Sequence, residues 1–270
     1  RGKGRPKGSK NKNKDIVELK AEMIQLKGMI SKIKALISNV LAPVYFVYDG
    51  ALGNNAGAQM AIQSGLHLIS KLKYNSALFL PWEGEYSGKG APRKYGSQLN
   101  CRSIDDKYLV FESTEDGILT PTFQLQVLSK SFAQMLNITV ILKKNILTGK
   151  ERHIILFSTD LGLAWNSIVE YYSLRFQIEF NFRDAKQFWG LEDFMVIKQV
   201  CVTNAANIAF FMVNLSQSLL LSSQTESIND LKTEYHGMRY LDEILKWLPK
   251  NSDIIKSNVL NEHVLALGRI

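Results

Sequence analysis

The 270-residue chain has little cysteine, few histidines and no long hydrophobic run. Two cysteines, Cys101 and Cys201, are too few for a disulfide framework or for a zinc site of four thiolates, and a low count suits a reducing cytoplasm. The four histidines are scattered without the spacing of metal ligands. The most apolar stretch, residues 205–221, is interrupted by polar residues and falls short of the roughly 18 uninterrupted apolar residues of a membrane span. We therefore expect a buried helix there, and no membrane partner.

The composition that remains is that of a globular protein. Apolar residues make up 46% of the chain and charged residues 21%, which excludes a disordered tail and a collagen-like repeat. The length is that of one large domain or two ordinary ones. The chain opens on Arg1 rather than Met and has no apolar signal-peptide core, so we expect a fragment of a longer protein.

Positive charge is concentrated at the start of the chain. Residues 1–14 hold seven Lys or Arg and no acid, which supplies seven of the eight net positive charges. A basic run interleaved with Gly, Ser and Asn predicts a flexible arm whose natural partner is a polyphosphate such as DNA. Gly4-Arg5-Pro6, preceded by Lys3, resembles an AT-hook, which lies in the DNA minor groove. The alternative is a solvated linker.

The next part of the chain has the pattern of an α/β sheet. The predicted elements are, in order, a helix over 15–40 ended by Pro43, a strand over 44–48, an Asp49-Gly50 turn, a helix over 56–64 capped by Gly65, and a strand over 67–72. The strand over 44–48 is apolar enough to predict a buried central strand.

Residues 78–157 change to alternating strands and Gly-rich turns, which predicts a β-rich block with a hairpin turn over 145–150. The loop over 88–96 is basic and has two interpretations, a DNA contact or a hairpin tip. Helices are then expected over about 164–187, 203–221, 240–248 and 259–267.

Four functional groups lie within the predicted helix over 164–187. Tyr172, Arg175, Glu179 and Lys186 fall within a sector of about 60° on a continuous helix, and Arg183 lies just beside it. By spacing alone, a surface cluster of ion pairs is the simpler interpretation.

The spacing Tyr, two residues, Arg, three residues, Glu, six residues, Lys resembles the signature of DDE-class insertion-sequence transposases, in the branch named for its Tyr-Arg-Glu-Lys motif. Ser158-Thr159-Asp160-Leu161 and the segment FVYDGALGN ahead of ISKLK are also similar to this branch, and the resemblance covers most of residues 44–200. It implies a ribonuclease H-like α/β core interrupted by a β-rich insertion. The expected division is a basic arm (1–14), the first part of the core (15–77), the insertion (78–157), the part of the core with the catalytic helix (158–222) and a C-terminal helical tail (223–270).

The resemblance also implies a chemistry and its residues. Transposases of this class cut DNA and transfer strands with Mg²⁺ or Mn²⁺, held by acids that meet from separate elements. On this basis Asp49 and Glu179 are the expected catalytic metal ligands. Phosphate contacts are expected from the motif residues Arg175 and Lys186. Tyr172 is expected either to donate a hydrogen bond to a phosphate or to pack beneath the site, and Arg183, beside the stripe, is a secondary phosphate contact. The implied partners are element ends and target DNA, with a homodimer in the DNA complex and a cytoplasmic, nucleoid-associated location.

Asp160 is a candidate third acid, but Ser158-Thr159-Asp160 also has the sequence of a helix N-cap, which we favour. The family order places the first catalytic Asp on an earlier strand, so we expect this chain to lack it. Asp49 has its own alternative, as a turn-former. Trp189 has two interpretations, stacking on an unpaired base or packing in a core.

Three other functions stay open at this stage. The chain can be a catalytically inactive DNA-binding remnant of a transposase, or another nuclease of the same fold, such as a junction resolvase. A purely structural or protein-interaction role is the third.

Overall fold

The computed structural model describes residues 14–86, 88, 90–222 and 225–247, with side chains for all of these except 244–247. The predicted basic arm, apart from Lys14, and the predicted helix over 259–267 lie outside the described residues. The chain divides into two compact units, of which the first ends at Arg175 and the second begins at Phe176.

The first unit is built on a mixed sheet of eight strands. The strands are β1 (Tyr45–Val47), β2 (His67–Leu72), β3 (Leu78–Pro81), β4 (Tyr95–Gln98), β5 (Leu109–Glu115), β6 (Ile118–Ser129), β7 (Leu136–Asn145) and β8 (Glu151–Ser158). They are ordered β1-β2-β8-β7-β6-β3-β4, with β5 paired to β6. β1 and β2 are parallel, and every other described pair is antiparallel. The predicted α/β class, the β-rich block and its hairpin turn are therefore confirmed.

The described residues contain six α-helices. They are α1 (Ala21–Ile37), α2 (Asn55–Gln63), α3 (Trp165–Ser173), α4 (Phe176–Trp189), α5 (Gln199–Ser222) and α6 (Ile228–Trp247). The strand, turn, helix, strand order predicted around Asp49 is confirmed by β1, α2 and β2. Asn54 caps α2 by accepting from the Gly57 amide at 3.0 Å, and Gly65 follows the helix with a φ of +66°, as the sequence predicted.

Side chains alternate along β2, so that its two faces meet different helices. Leu68 and Leu72 are buried against Ala58 and Ala61 of α2. α1 packs on the outer side of α2. Ile69 points the other way and is buried against Ile168 of α3. The sheet of the first unit therefore lies between α3 on one face and the α1–α2 pair on the other.

Two predictions about this unit were wrong. β1 is not a central strand, because among the described residues its only neighbour is β2, and its three residues are half-buried. A run of strand-favouring residues indicates a strand but carries no count of its neighbours. The helix predicted over 164–187 is two helices, since α3 ends at Ser173 and α4 begins at Phe176. No Gly or Pro marks the break, although the Ser173 hydroxyl donates to the Glu170 carbonyl at 2.6 Å, a bond that competes with helical pairing.

The second unit contains α4, α5 and α6, and its core is formed where α4 meets α5. Ala185, Leu191, Ala209 and Val213 are buried there. α5 is not the buried helix that its composition predicted, because only three of its residues are buried and Phe211 is 63% exposed. By length and composition α5 also qualifies as a membrane span, with 17% of its most apolar window buried. Core helices of soluble proteins share this length and composition.

Candidate functional site

Asp49 lies where the first unit places two parallel strands side by side. It follows β1 directly and caps a 3₁₀ turn over Gly50–Leu52, its Oδ1 accepting from the Ala51 amide at 2.8 Å. The Ser70 hydroxyl of β2 donates to the Asp49 carbonyl at 2.6 Å and ties the turn to the neighbouring strand. The carboxyl group is exposed. Asp49 is therefore both a turn-former and an acid open to solvent at the carboxyl end of β1, the edge where open α/β sheets bind ligands.

A glycine keeps this turn close to the end of β2. A Cβ atom on Gly53 would collide with the carbonyl oxygen of Lys71, so only glycine allows this approach of the two backbones. The close approach holds Asp49 next to the carboxyl end of the second parallel strand.

Tyr172 lies within electrostatic range of Asp49, and Arg175 contacts Tyr172. Burial raises the pKa of the Tyr172 phenol; the charge and hydrogen bond of Arg175 oppose this rise, and the negative charge of Asp49 adds to it. The Arg175 guanidinium lies 5.8 Å from the centre of the Tyr172 ring. The first unit thus brings together three of the residues selected from the sequence, one acid, one phenol and one cation, from β1 and from the end of α3.

Asp160 lies at the opposite end of β1. Its Oδ2 accepts from the Tyr45 hydroxyl at 2.8 Å, and its Oδ1 accepts from the Gly162 amide at 2.9 Å. Tyr45 begins β1 and Asp49 follows its end, so about 13 Å of extended backbone separates the two. The Gly162 amide and the Tyr45 hydroxyl hold the pKa of Asp160 below its usual value. Asp160 therefore does not lie with Asp49, and each of its oxygens accepts a hydrogen bond; its role as a third acid stays a prediction.

The favoured interpretation, in which Asp160 belongs to the N-cap of the following helix, was wrong. α3 begins at Trp165, and its N-cap residue is Ala164, which makes no side-chain cap. The Trp165 amide donates instead to the Gln124 side chain of β6 at 3.1 Å. Asp160 forms a turn before the helix, and its backbone carbonyl accepts from the buried Asn137 side chain at 3.2 Å.

The second unit carries the other motif residues on α4. Glu179, Arg183 and Lys186 are exposed and spaced by four and three residues, which places them on one face of that helix. Two acids engage the cations. Lys186 pairs with Glu192 at 2.7 Å, and the Arg183 guanidinium contacts the Asp184 carboxylate at 3.3 Å. The Lys186–Glu192 pair is exposed on both sides, and such pairs contribute little to stability, so a phosphate can displace Glu192 at small cost; Asp184, in contrast, is buried.

The predicted acids have the chemistry that Mg²⁺ needs, but there are too few of them in either unit to form a site of three ligands. Carboxylate oxygens are the ligands this ion prefers, and Asp49 and Glu179 supply one such group in each unit. Across the described ranges, no group of three or more His, Cys, Asp or Glu side chains is placed to hold a metal. The described residues of each unit therefore do not group three such ligands around one point.

Two weaker candidates have structural roles. Trp189 packs against the core of the second unit, with the Lys232 ammonium 5.2 Å from the centre of its ring, as the core-packing interpretation predicted. The basic loop over 88–96 joins β3 to β4, as expected of a hairpin tip. Its Arg93 lies 4.1 Å from the centre of the Trp82 ring.

One residue of the first site was missed from the sequence. Lys71 of β2 is level with Asp49 when the parallel register Val47–Ile69 is continued by two residues. The signal was available, since two parallel strands joined by one helix bring their carboxyl ends together. Without the register, Lys71 could not be distinguished from Lys73.

No protein-family model matches the chain, and no curated protein matches it. The function therefore has to be inferred from the residues and from their placement within each unit.

Proposed function

We propose that this chain is part of a DDE-class insertion-sequence transposase, with a ribonuclease H-like core, that cuts and joins DNA by phosphoryl transfer. The observation that carries the proposal is the grouping of Asp49, Tyr172 and Arg175 at the carboxyl edge of β1. These residues come from two motifs separated by more than 120 positions, and both motifs resemble the same transposase branch. The strand, acid, helix, strand order and the β-rich segment that follows it support the same interpretation.

In this proposal Asp49 and Glu179 are each ligands of a divalent ion, Mg²⁺ or Mn²⁺. The bound ion would activate the attacking water or 3′-hydroxyl and stabilise the leaving oxygen. Arg175, packed over the Tyr172 ring, would present a planar guanidinium to a DNA phosphate. Arg183 and Lys186 would exchange their present acidic partners for phosphates.

The three-acid site of this class needs one more ligand than Asp49 and Glu179. We do not assign this role to Asp160, because its two oxygens each accept a hydrogen bond, from Tyr45 and from Gly162, and Tyr45 lies at the other end of β1 from Asp49. We therefore propose that the first catalytic Asp lies on a strand preceding Arg1 in the complete protein. The complete protein would act as a homodimer on element ends and target DNA, in the cytoplasm and close to the nucleoid.

The test compares wild type with Glu179→Gln in DNA cutting and in DNA binding. Both proteins are made as the 270-residue chain and with the residues that precede Arg1 in its reading frame, and are given Mg²⁺ and duplexes carrying the ends of the surrounding element. We expect the wild type of the longer protein to cut at the ends, and Glu179→Gln to bind equally well without cutting. Cutting by Glu179→Gln at the wild-type rate would contradict the role of Glu179.

A catalytically inactive DNA-binding remnant is the second candidate. It is favoured by one observation, that the described residues contain no cluster of three metal-ligating side chains. A remnant would bind the same duplexes with the same salt dependence but would cut none of them in either form.

A further inference from the structure

Lys71 lies at the same level of the sheet as Asp49. The register of β1 and β2 pairs Tyr45 with His67 and Val47 with Ile69, and two further residues along each strand lead to Asp49 and Lys71. Neighbouring strands are about 4.8 Å apart, so the two backbones are adjacent at this point. A Cβ atom on Gly50 would lie 4.0 Å from the Lys71 Cβ, which places the start of the Lys71 side chain beside the 3₁₀ turn.

The side chains of Asp49 and Lys71 are directed to the same face of the sheet. Val47 and Ile69 both pack in the cluster beneath α3, and residues two positions further along a strand point to the same side. Asp49 keeps an extended backbone, with φ −67° and ψ 179°, so the alternation continues to it. This is the face that α3 covers; Tyr172, in the last turn of α3, packs in the same cluster as Val47 and Ile69, and Arg175 follows the helix and contacts the Tyr172 ring.

Lys71 is exposed, and in the part of the chain that the structure describes its ammonium group has no acidic partner within 4.0 Å. Lys144 and Lys186 each pair with an acid. A lysine beside an aspartate without an ion pair between them leaves both groups available to a third component. An ammonium group binds phosphate oxygens, and a carboxylate binds the metal ion that neutralises the same phosphate.

We propose that Lys71 is a phosphate-binding residue of the Asp49 site, which holds the DNA backbone against β2 while Arg175 holds it from the end of α3. This inference rests on the proposed function, since it takes DNA as the ligand. Lys71 is a positioning residue: it fixes the phosphate next to Asp49 and takes no part in proton or metal chemistry.

The first experiment is lysine footprinting on the wild-type chain. The protein is acetylated with and without a 30-base-pair duplex, and each lysine is quantified by mass spectrometry. Lys32 is the matched control, because it is exposed and remote from Asp49. It lies in the second half of α1, where Lys34 donates to the Ser64 carbonyl just after the end of α2, whereas Asp49 precedes the start of α2. We expect the duplex to protect Lys71 several-fold and to leave Lys32 unchanged. Equal labelling of Lys71 with and without bound DNA would overturn the inference.

The second experiment replaces the charge. Lys71→Met and Lys32→Met remove one cation each and keep the apolar stem, while Lys71→Arg keeps the charge. Binding of the same duplex is measured from 50 to 300 mM salt. The slope of log K against log salt is negative, and each phosphate contact adds about 0.9 to its magnitude. We expect Lys71→Met to reduce that magnitude by about 0.9 and Lys71→Arg to restore it.

The outcomes separate this inference from the function on which it depends. If the wild type binds DNA and Lys71→Met behaves like Lys32→Met, Lys71 is not a phosphate contact, and the transposase proposal is unaffected. If the wild type binds no duplex at any salt concentration, both proposals fail. Thermal unfolding of each variant shows that a loss of binding does not come from loss of the fold.

Discussion

Two aspartates lie near the two ends of the short strand β1, and they differ in what surrounds them. Asp49 follows the strand, is exposed, and shares its surroundings with Tyr172 and Arg175. Asp160 contacts the first residue of the strand, and both of its oxygens accept hydrogen bonds. An acid next to a strand is therefore not by itself a candidate metal ligand. The direction of the strand decides which end is open, and the hydrogen bonds already made decide which carboxylate is available.

The largest difference between the two aspartates is expected in DNA cutting. Asp49→Asn removes a proposed metal ligand, whereas Asp160→Asn changes a turn remote from it. In the longer protein with Mg²⁺ we expect Asp49→Asn to lower cutting at least about 100-fold and Asp160→Asn to retain most activity, because loss of even an indirect metal contact costs about 10–100-fold. Equal losses in both variants would abolish the distinction between the two ends of β1.

Deletion of the basic arm tests DNA binding separately from metal binding by Asp49. Deleting residues 1–13 removes six cations. The deletion stops before Lys14, because the Asn55 side chain donates to the Lys14 carbonyl at 2.8 Å. We expect weaker duplex binding, and a slope of log K against log salt whose magnitude falls by at most about 0.9 for each cation removed. The dependence of DNA cutting on the metal ion should not change. An unchanged slope would mean that the arm is a linker.

A smaller effect is expected from the support beneath the Asp160 turn. Asn137 is 1% exposed and donates to the carbonyls of Asp160 and Leu163. The Gln124 side-chain amide in turn donates to the Asn137 side chain at 3.0 Å. Asn137→Ala therefore removes one hydrogen-bond partner from each of these three groups, and we expect a loss of about 2 kcal/mol in the free energy of unfolding, measured in urea. Asn145→Ala, in the exposed hairpin, is the control and should cost less. A neutral Asn137→Ala would show that the turn does not depend on this contact.

The smallest expected effect concerns the Tyr45–Asp160 hydrogen bond and its pH dependence. Burial, followed by the Asp160 contact, raises the pKa of Tyr45 to about 12, so its hydroxyl stays a donor at neutral pH. Tyr45→Phe should cost about 1 kcal/mol.

The pKa of Asp160 is lowered in the fold, so its contribution is present above the unfolded pKa and disappears as the pH falls through the folded pKa. Urea unfolding of wild type and Asp160→Asn should therefore differ most near neutral pH and converge in acid. A gap that widens in acid would contradict this.

Local patterns in the sequence predicted the first unit well. The strand predicted over 67–72 has the same bounds as β2, and α2 ends just before Gly65, as expected. The turn around Asp49 was predictable because Asp-Gly after an apolar run has a local cause. The placement of β1 at the sheet edge was not, because strand neighbours are set by long-range pairing with β2.

The helix break between Ser173 and Phe176 shows a second limit. Angular spacing placed Tyr172 and Glu179 on one stripe of a continuous helix, and no Gly or Pro signals that α3 ends between them. Lys71 shows a third limit, since only the parallel register with β1 gives it a place beside Asp49. Residues whose roles depend on a neighbouring strand stay hidden in a single sequence.

The central claim is that Asp49 and Glu179 bind a divalent metal ion. Its most direct test measures Mn²⁺ binding to the chain by electron paramagnetic resonance, in the presence of duplex DNA. If Asp49 and Glu179 are metal ligands, as proposed, Asp49→Asn and Glu179→Gln should each weaken Mn²⁺ binding by at least about tenfold, and Asp160→Asn should bind as the wild type does. Wild-type Mn²⁺ binding by both Asp49→Asn and Glu179→Gln would contradict the account.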